Sequence, residues 1–177
     1  TGVLSGYITE LEPNKRLEER ITTSIISEDE MADGASAELA GIRRKIKNTS
    51  SKIRDTLDSM IHSQYYRKFL QDAIVTVRNN RYVVPVKSEF RGEVRGIAHD
   101  MSASGSTVFI EPEGVVNANN DLNELTVKER AEIEKVLLDI SNDVSEFIEE
   151  IRLNFETLIH LDFVVAKARL SLDMKAV

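Results

Sequence analysis

Between residues 99 and 112 the chain reads HDMSASGSTVFIEP, which sets a histidine, a carboxylate and three hydroxyls within eight residues. His99, Asp100 and one of Ser102, Ser104 or Ser106 would supply the groups of a serine hydrolase. A triad draws those groups from separate elements and places its nucleophile on a strained turn. Here all the candidates are sequence neighbours, and on a regular strand His99 and Asp100 point to opposite faces. No Gly-x-Ser-x-Gly occurs. The segment reads as small residues in a β-turn, not as a nucleophile with its base.

Other chemistries fail on residue type or spacing. His62, His99 and His160 have no second histidine at helical spacing. Cysteine is absent, which excludes disulfides, thiolate catalysis and cysteine-based zinc sites. The glycines form neither Gly-x4-Gly-Lys-Ser/Thr nor Gly-x-Gly-x2-Gly, so the chain has no recognisable ATP site and no cofactor of its own is expected.

Phosphate binding is better supplied. Residues 78–95 hold Arg78, Arg81, Lys87, Arg91 and Arg95 against Glu89 and Glu93, a local +3 in a chain of net charge -7. Tyr82 and Phe90 are interleaved with these bases, which suits backbone contacts with some stacking. The hydroxyls of Ser102, Ser104 and Ser106, with backbone N–H groups around Gly105, can hold phosphate oxygens. The same bases can equally lie on a solvated strand face, paired with acids across the sheet.

The elements that would carry these residues follow from periodicity. Residues 36–71 read as one long helix capped by Ser36. Its apolar seam is Leu39, Ile42, Ile46, Ile53, Leu57 and Met60, with Thr49 at the missing step. A second long helix is expected over 115–160, with a seam of Leu122, Leu125, Ile133, Val136, Ile140, Val144, Phe147, Ile151, Phe155 and Leu158. A denser apolar run, 161–172, continues it. Residues 39–54 carry six bases and no acid, whereas 121–156 carry eleven acids against four bases. Opposite charge suggests that the two helices pair antiparallel, with Ile46, Ile53, Ile140 and Val144 on the seam. The basic run is then an intramolecular match for the acidic helix; its alternative is nucleic-acid contact.

Between the helices the period changes to β. AIVTV and RYVVPV flank RNN, a hairpin signal, and VRGIAHDM and STVFIE read as two further strands. Pro85 marks an edge or bulge. Residues 1–35 show helical spacing at Leu11, Leu17, Ile21 and Ile25, then an acidic loop, SEDEMADGAS. The expected fold is mainly α with a small β insertion: a long antiparallel coiled-coil lever carrying a small antiparallel β clamp at its tip. Residues 1–72 form the outgoing arm, 73–113 the clamp-like tip and 114–177 the returning helix. On this reading the shaft buries its own seam, so a short linker could replace 73–113.

Only 6% of the 177 residues are aromatic and 30% are charged, which favours long helices with solvated faces over a compact enzyme. TGVLSGYITELEP lacks the basic and apolar regions of a signal peptide. No apolar run approaches the roughly 18–20 residues that span a bilayer. No membrane partner and a cytoplasmic location are expected. The initial Thr1 hints at a piece of a longer protein.

The stretch LQDAIVTVRNNRYVVPVKSEFRGEVRGIAHDMSASGSTVFIEPEGVVNANNDLNEL resembles the bacterial MutS2 family, paralogues of the mismatch-repair ATPase MutS. ITELEPNKRLEERI, LAGIRRKIKNTSSKIRDTL and LDFVVAKARLSL resemble the same family, so the likeness covers nearly the whole chain. It implies core and lever helices with a clamp-like insertion, the part expected to touch nucleic acid. It further implies a dimeric ATPase using ATP and Mg, and an Smr nuclease domain, both outside this chain. Branched or duplex DNA, in suppressing recombination, and collided ribosomes are the implied partners. The family lacks the mismatch-reading domain of MutS, so mismatch recognition is not implied. The alternative role is a structural arm that contacts protein or ribosome without binding DNA.

Overall fold

In the computed structural model, which describes the backbone of residues 3–175 and the side chains of 6–175, helices and short strands alternate. The order is α1 (Val3–Thr9), α2 (Lys15–Ser24), β1 (Ile25–Ser27), β2 (Glu30–Met31), α3 (Ala37–Ile61) and α4 (Gln64–Arg67). Then come β3 (Thr76–Arg78), β4 (Arg81–Lys87), β5 (Gly96–Met101), β6 (Thr107–Pro112), α5 (Val116–Glu146) and α6 (Ile148–Asp173). The fold is mainly α with a small antiparallel β insertion. Two compact units result. One is Ser36–Ile133; the other joins the segment up to Ala35 with that from Glu134 on. No helix among the described residues is long and apolar enough to cross a membrane.

In the Ser36–Ile133 unit, Ser36 caps α3 by accepting a hydrogen bond from Leu39 N at 2.9 Å. Leu39, Ile42, Ile53 and Leu57 of the expected seam are buried, Ile46 and Met60 are half-buried, and Ile61, off that seam, is buried as well. The helix is shorter than the expected 36–71. It stops at Ile61, where His62 Nδ1 lies 2.8 Å from the Asp58 carbonyl, and Ser63 then caps the separate α4. A serine that can accept from a backbone N–H starts a new helix as readily as it sits inside an old one.

The sheet runs β3-β4-β6-β5, antiparallel throughout. Asn79 and Asn80 both have positive φ, 50° and 60°, the backbone of a two-residue hairpin turn. Pro85 cannot donate, and its carbonyl accepts from Gln71 N at 2.9 Å. One face of the sheet presents Val84, Val86, Val108 and Ile110, which share a core with Ile53, Leu57 and Ile61 of α3 and Leu122 of α5. The helices therefore do not bury their seam on each other alone. Replacing 73–113 with a linker would strip the partners from half of α3, where each buried aliphatic contributes about 1.5–3 kcal/mol.

Gly96, opposite Pro112, starts β5. A Cβ built there would lie 2.1 Å from the Glu111 carbonyl oxygen and 2.8 Å from its carbon, and backbone cannot swing aside. Gly96→Ala must push β5 off β6, at a cost of about 1–3 kcal/mol. A thermal melt should show the loss, and an unchanged melt would contradict the close approach.

Acidic residues of α5 do meet α3. Glu132 accepts from Ser36 Oγ at 2.8 Å and Glu129 pairs with Arg43 at 2.7 Å. On the surface of α5, the hydrogen bond from Lys128, and then its charge, hold the Glu124 carboxyl below its usual range. The same hydrogen bond and charge raise Lys128.

In the other unit, α2 is capped by Asn14, and the expected acidic loop instead forms the hairpin β1–β2. Arg20 of α2 pairs with Asp143. The Asn154 amide brackets the Glu12 peptide, accepting from its N–H and donating to its carbonyl, both at 2.9 Å. Ile140 and Val144, expected on the seam with Ile46 and Ile53, belong to this unit, and Ile140 is buried. The expected helix over 115–160 also breaks, at Phe147 (φ -110°, ψ 18°). Ser141 and Ser145 each bond the carbonyl four residues back just before the break, a habit that bends helices. Past it, the continuous seam is not buried; Phe155, for example, is 64% exposed.

Candidate nucleic-acid interface

The opening motif resolves into a hairpin loop between β5 and β6. Ser102 N donates to the Thr107 carbonyl at 2.9 Å, and Thr107 N donates to Ser102 Oγ at 3.1 Å. Gly105 supplies the positive φ, 71°, that the reversal needs. Ser104 Oγ lies 2.8 Å from Ser106 Oγ and 3.3 Å from Ser102 Oγ. None of these hydroxyls bonds the His99 ring, so no nucleophile is joined to a base. The loop runs into a strand, so it is not a phosphate cradle at a helix N-terminus.

His99 and Asp100 depart from the regular-strand expectation. A bulge between Ala98 and Asp100 turns both toward one face of the sheet. There His99 Nε2 lies 2.5 Å from Glu111 Oε2, and Asp100 faces Arg78 at 3.4 Å. Glu111 is fully buried and organises this face. Arg81 donates to both of its oxygens, at 2.8 and 3.1 Å, and Asn119 Nδ2 donates at 2.8 Å. Asn119, also fully buried, brackets the Tyr82 peptide as Asn154 brackets Glu12. Arg81 reaches Asn120 as well, at 2.7 Å. Its guanidinium is thus committed to a buried carboxylate, and Arg78 lies 4.2 Å from the Phe109 ring centroid.

The remaining bases differ. Arg91 and Arg95 are exposed, and Lys87 Nζ reaches the Lys68 carbonyl, at 3.4 Å, and the Phe90 ring. Among the described residues none of these three makes an ion pair. Ser88 N donates to the Ser106 carbonyl at 3.0 Å, so the serine loop lies at the same end of the sheet as Lys87. The structure thus gathers Lys87, Ser102, Ser104 and Ser106 at one end and holds Arg78 and Arg81 in the network described above.

Tyr82 and Phe90 do not stack outward as their interleaving suggests. Both pack against the core, and Arg54 lies 5.5 Å from the Tyr82 ring. Strand alternation carries that signal, since Tyr82 shares parity with the buried Val84 and Val86. Within the Ser36–Ile133 unit the exposed aromatic is Tyr65 of α4, next in sequence to Tyr66, Arg67 and Lys68. Sequence reasoning passed over these residues by extending α3 through them. Of the basic run at 43–54, Arg43 finds an acid on α5, while Arg44, Lys45, Lys47 and Lys52 are exposed.

No protein-family profile matches the chain. It is 51% identical over 175 residues to a protein of Acetivibrio thermocellus named Endonuclease MutS2. It is 45% identical over 175 residues to one of the same name from Ruminiclostridium cellulolyticum, and 43% over 173 residues to one from a Geobacillus species. The first two alignments cover 99% of this chain and the third 98%. The chain spans about a fifth, 22%, of the length of each relative.

Proposed function

The chain belongs to the MutS2 family as a segment of a longer protein, and from that premise we propose that its sheet-bearing unit is a nucleic-acid clamp. The clamp is carried on lever helices of a MutS2-type ATPase that acts on branched DNA to suppress recombination, or on stalled ribosomes. The longer protein is a homodimer that supplies the ATP and Mg site and the nuclease. This segment binds and transmits, with no catalysis of its own. The apolar faces of α6 fall to the rest of the polypeptide to cover.

The observation that carries this reading is the set of bases left without acids. Lys87, Arg91 and Arg95 make no ion pair among the described residues, in a chain with a seven-charge excess of acids. Arg78 and Arg81 shape the sheet beneath them. The serine loop adds hydroxyls beside Lys87.

A second reading, contact with protein or ribosome, is favoured by Ile97 and Met101, exposed apolar side chains on the edge strand β5. One experiment separates the two. Changing Lys87, Arg91 and Arg95 together to Gln should weaken binding to a four-way DNA junction by on the order of tenfold or more at moderate salt. It should leave the fold intact, because these side chains hold no buried partner. Undiminished junction binding, with ribosome co-sedimentation lost on changing Ile97 and Met101 to Ser, would favour the second reading.

A further inference from the structure

Beside α4 an open groove of about 540 Å³ runs within the Ser36–Ile133 unit, a volume typical of small-ligand sites. Leu57, Met60, Val94 and Val115 give it apolar walls, and Tyr65, Tyr66 and Arg95 also line it. Tyr65 is 54% exposed, yet its ring is fixed. It packs nearly perpendicular to Tyr66, with centroids 5.0 Å apart, and to Phe69, at 5.4 Å. Lys68 Nζ lies 5.0 Å from the Tyr65 centroid. An exposed aromatic held rigid by other aromatics is not needed to close this core, which is already sealed by Phe69 and Leu70 beneath it.

We infer that this groove takes one unpaired nucleobase of a bound nucleic acid, stacked on Tyr65, with Arg95 and Lys68 holding its flanking phosphates. Three observations converge. The lining mixes polar and apolar side chains and includes two tyrosines, Tyr65 and Tyr66, and an exposed tyrosine ring suits any base by its π-face. Lys68 Nζ stands over the Tyr65 ring and Arg95 lines the groove, so two cations are at hand for the phosphates that accompany a stacked base. Glu93 and Glu113 also line the groove; a carboxylate there repels a bare phosphate but accepts from the amino edge of a base. A paired base has no free face to offer, so the occupant is an extrahelical or single-stranded one, as found at a branch point. The inference deepens the clamp reading and rests on it.

The test compares two DNA duplexes, one fully paired and one with a single extrahelical 2-aminopurine, each bound to the whole chain. Wild type should bind the bulged duplex tighter, by roughly five- to a hundredfold. The probe's fluorescence should fall as it stacks. Tyr65→Ala should erase both the preference and the quench while leaving paired-duplex affinity unchanged, and Tyr65→Phe should keep both. Equal affinity of wild type for the two duplexes, or a preference that survives Tyr65→Ala, overturns the base groove alone. Failure to bind either duplex overturns the clamp reading with it.

Discussion

Glu111→Ala should lower the unfolding free energy of the Ser36–Ile133 unit by about 3–5 kcal/mol, the usual cost of removing one partner from a buried ion pair. The magnitude follows from what is left behind. Arg81, only about a fifth exposed, loses both of its carboxylate bonds. Asn119, fully buried, loses the acceptor for one of its N–H bonds, and His99 loses its partner. These groups come from β4, β5 and α5, so the defect loosens three elements together. Glu111→Gln, which keeps the shape and one acceptor, should cost less. Leucine at 111 combined with methionine at 81 should recover part of the loss, since apolar replacement of a complete buried pair is often tolerated. Urea unfolding followed by circular dichroism measures all three, and a loss under about 1 kcal/mol for Glu111→Ala would show that the network is not structural.

Ile53→Asp should be more severe. Ile53 is 1% exposed and packs in the core shared by α3 and the sheet. The substitution removes apolar contacts worth about 2–5 kcal/mol. It also leaves a carboxylate with no partner in an apolar core, which adds several kcal/mol more. Domains of this size are stable by only about 5–15 kcal/mol, so the unit should be largely unfolded at room temperature. Ile53→Val, by contrast, should cost about 0.5–1.5 kcal/mol. Near-native amide dispersion in the NMR spectrum of Ile53→Asp would place this residue outside the core.

Much of this arrangement is written locally. Ser36 announces the start of α3 because its side chain can accept from Leu39 N. Asn79 and Asn80 announce the β3–β4 turn because asparagine tolerates positive φ. The four strands β3 to β6 emerge from runs of β-branched residues between turn residues, although their order in the sheet, β3-β4-β6-β5, does not. What escaped was settled by tertiary partners. The seam spacing of α3 shows that one face is buried, but the spacing cannot tell whether a helix or a sheet covers it. The break at Phe147 has neither proline nor glycine, and only Ser141 and Ser145 hint at it.

The site was half legible for the same reason. A count of bases finds Lys87, Arg91 and Arg95, but it cannot separate them from Arg81, which is spent on Glu111. Glu111 did carry a signal: it is the one acid inside the apolar run TVFIEP, at a position where strand alternation puts it beside Val83 across the sheet. A lone acid there requires a base, and Arg81 is the base that the register brings near. The bulge that turns His99 toward Glu111 has no comparable local mark, since an extra residue in one strand is visible only against its partner.

The salt dependence of DNA binding tests the clamp reading most directly. Each phosphate contact releases counterions, so the logarithm of the binding constant should fall against the logarithm of salt by about 0.9 per contact on duplex DNA. If Lys87, Arg91 and Arg95 each hold a phosphate, the intact chain should show a slope of about -2.7 or steeper, and the triple Gln variant should lose about that much of it. A slope near zero for the intact chain, or the same steep slope in the triple variant, would contradict the assignment of these three bases to nucleic acid.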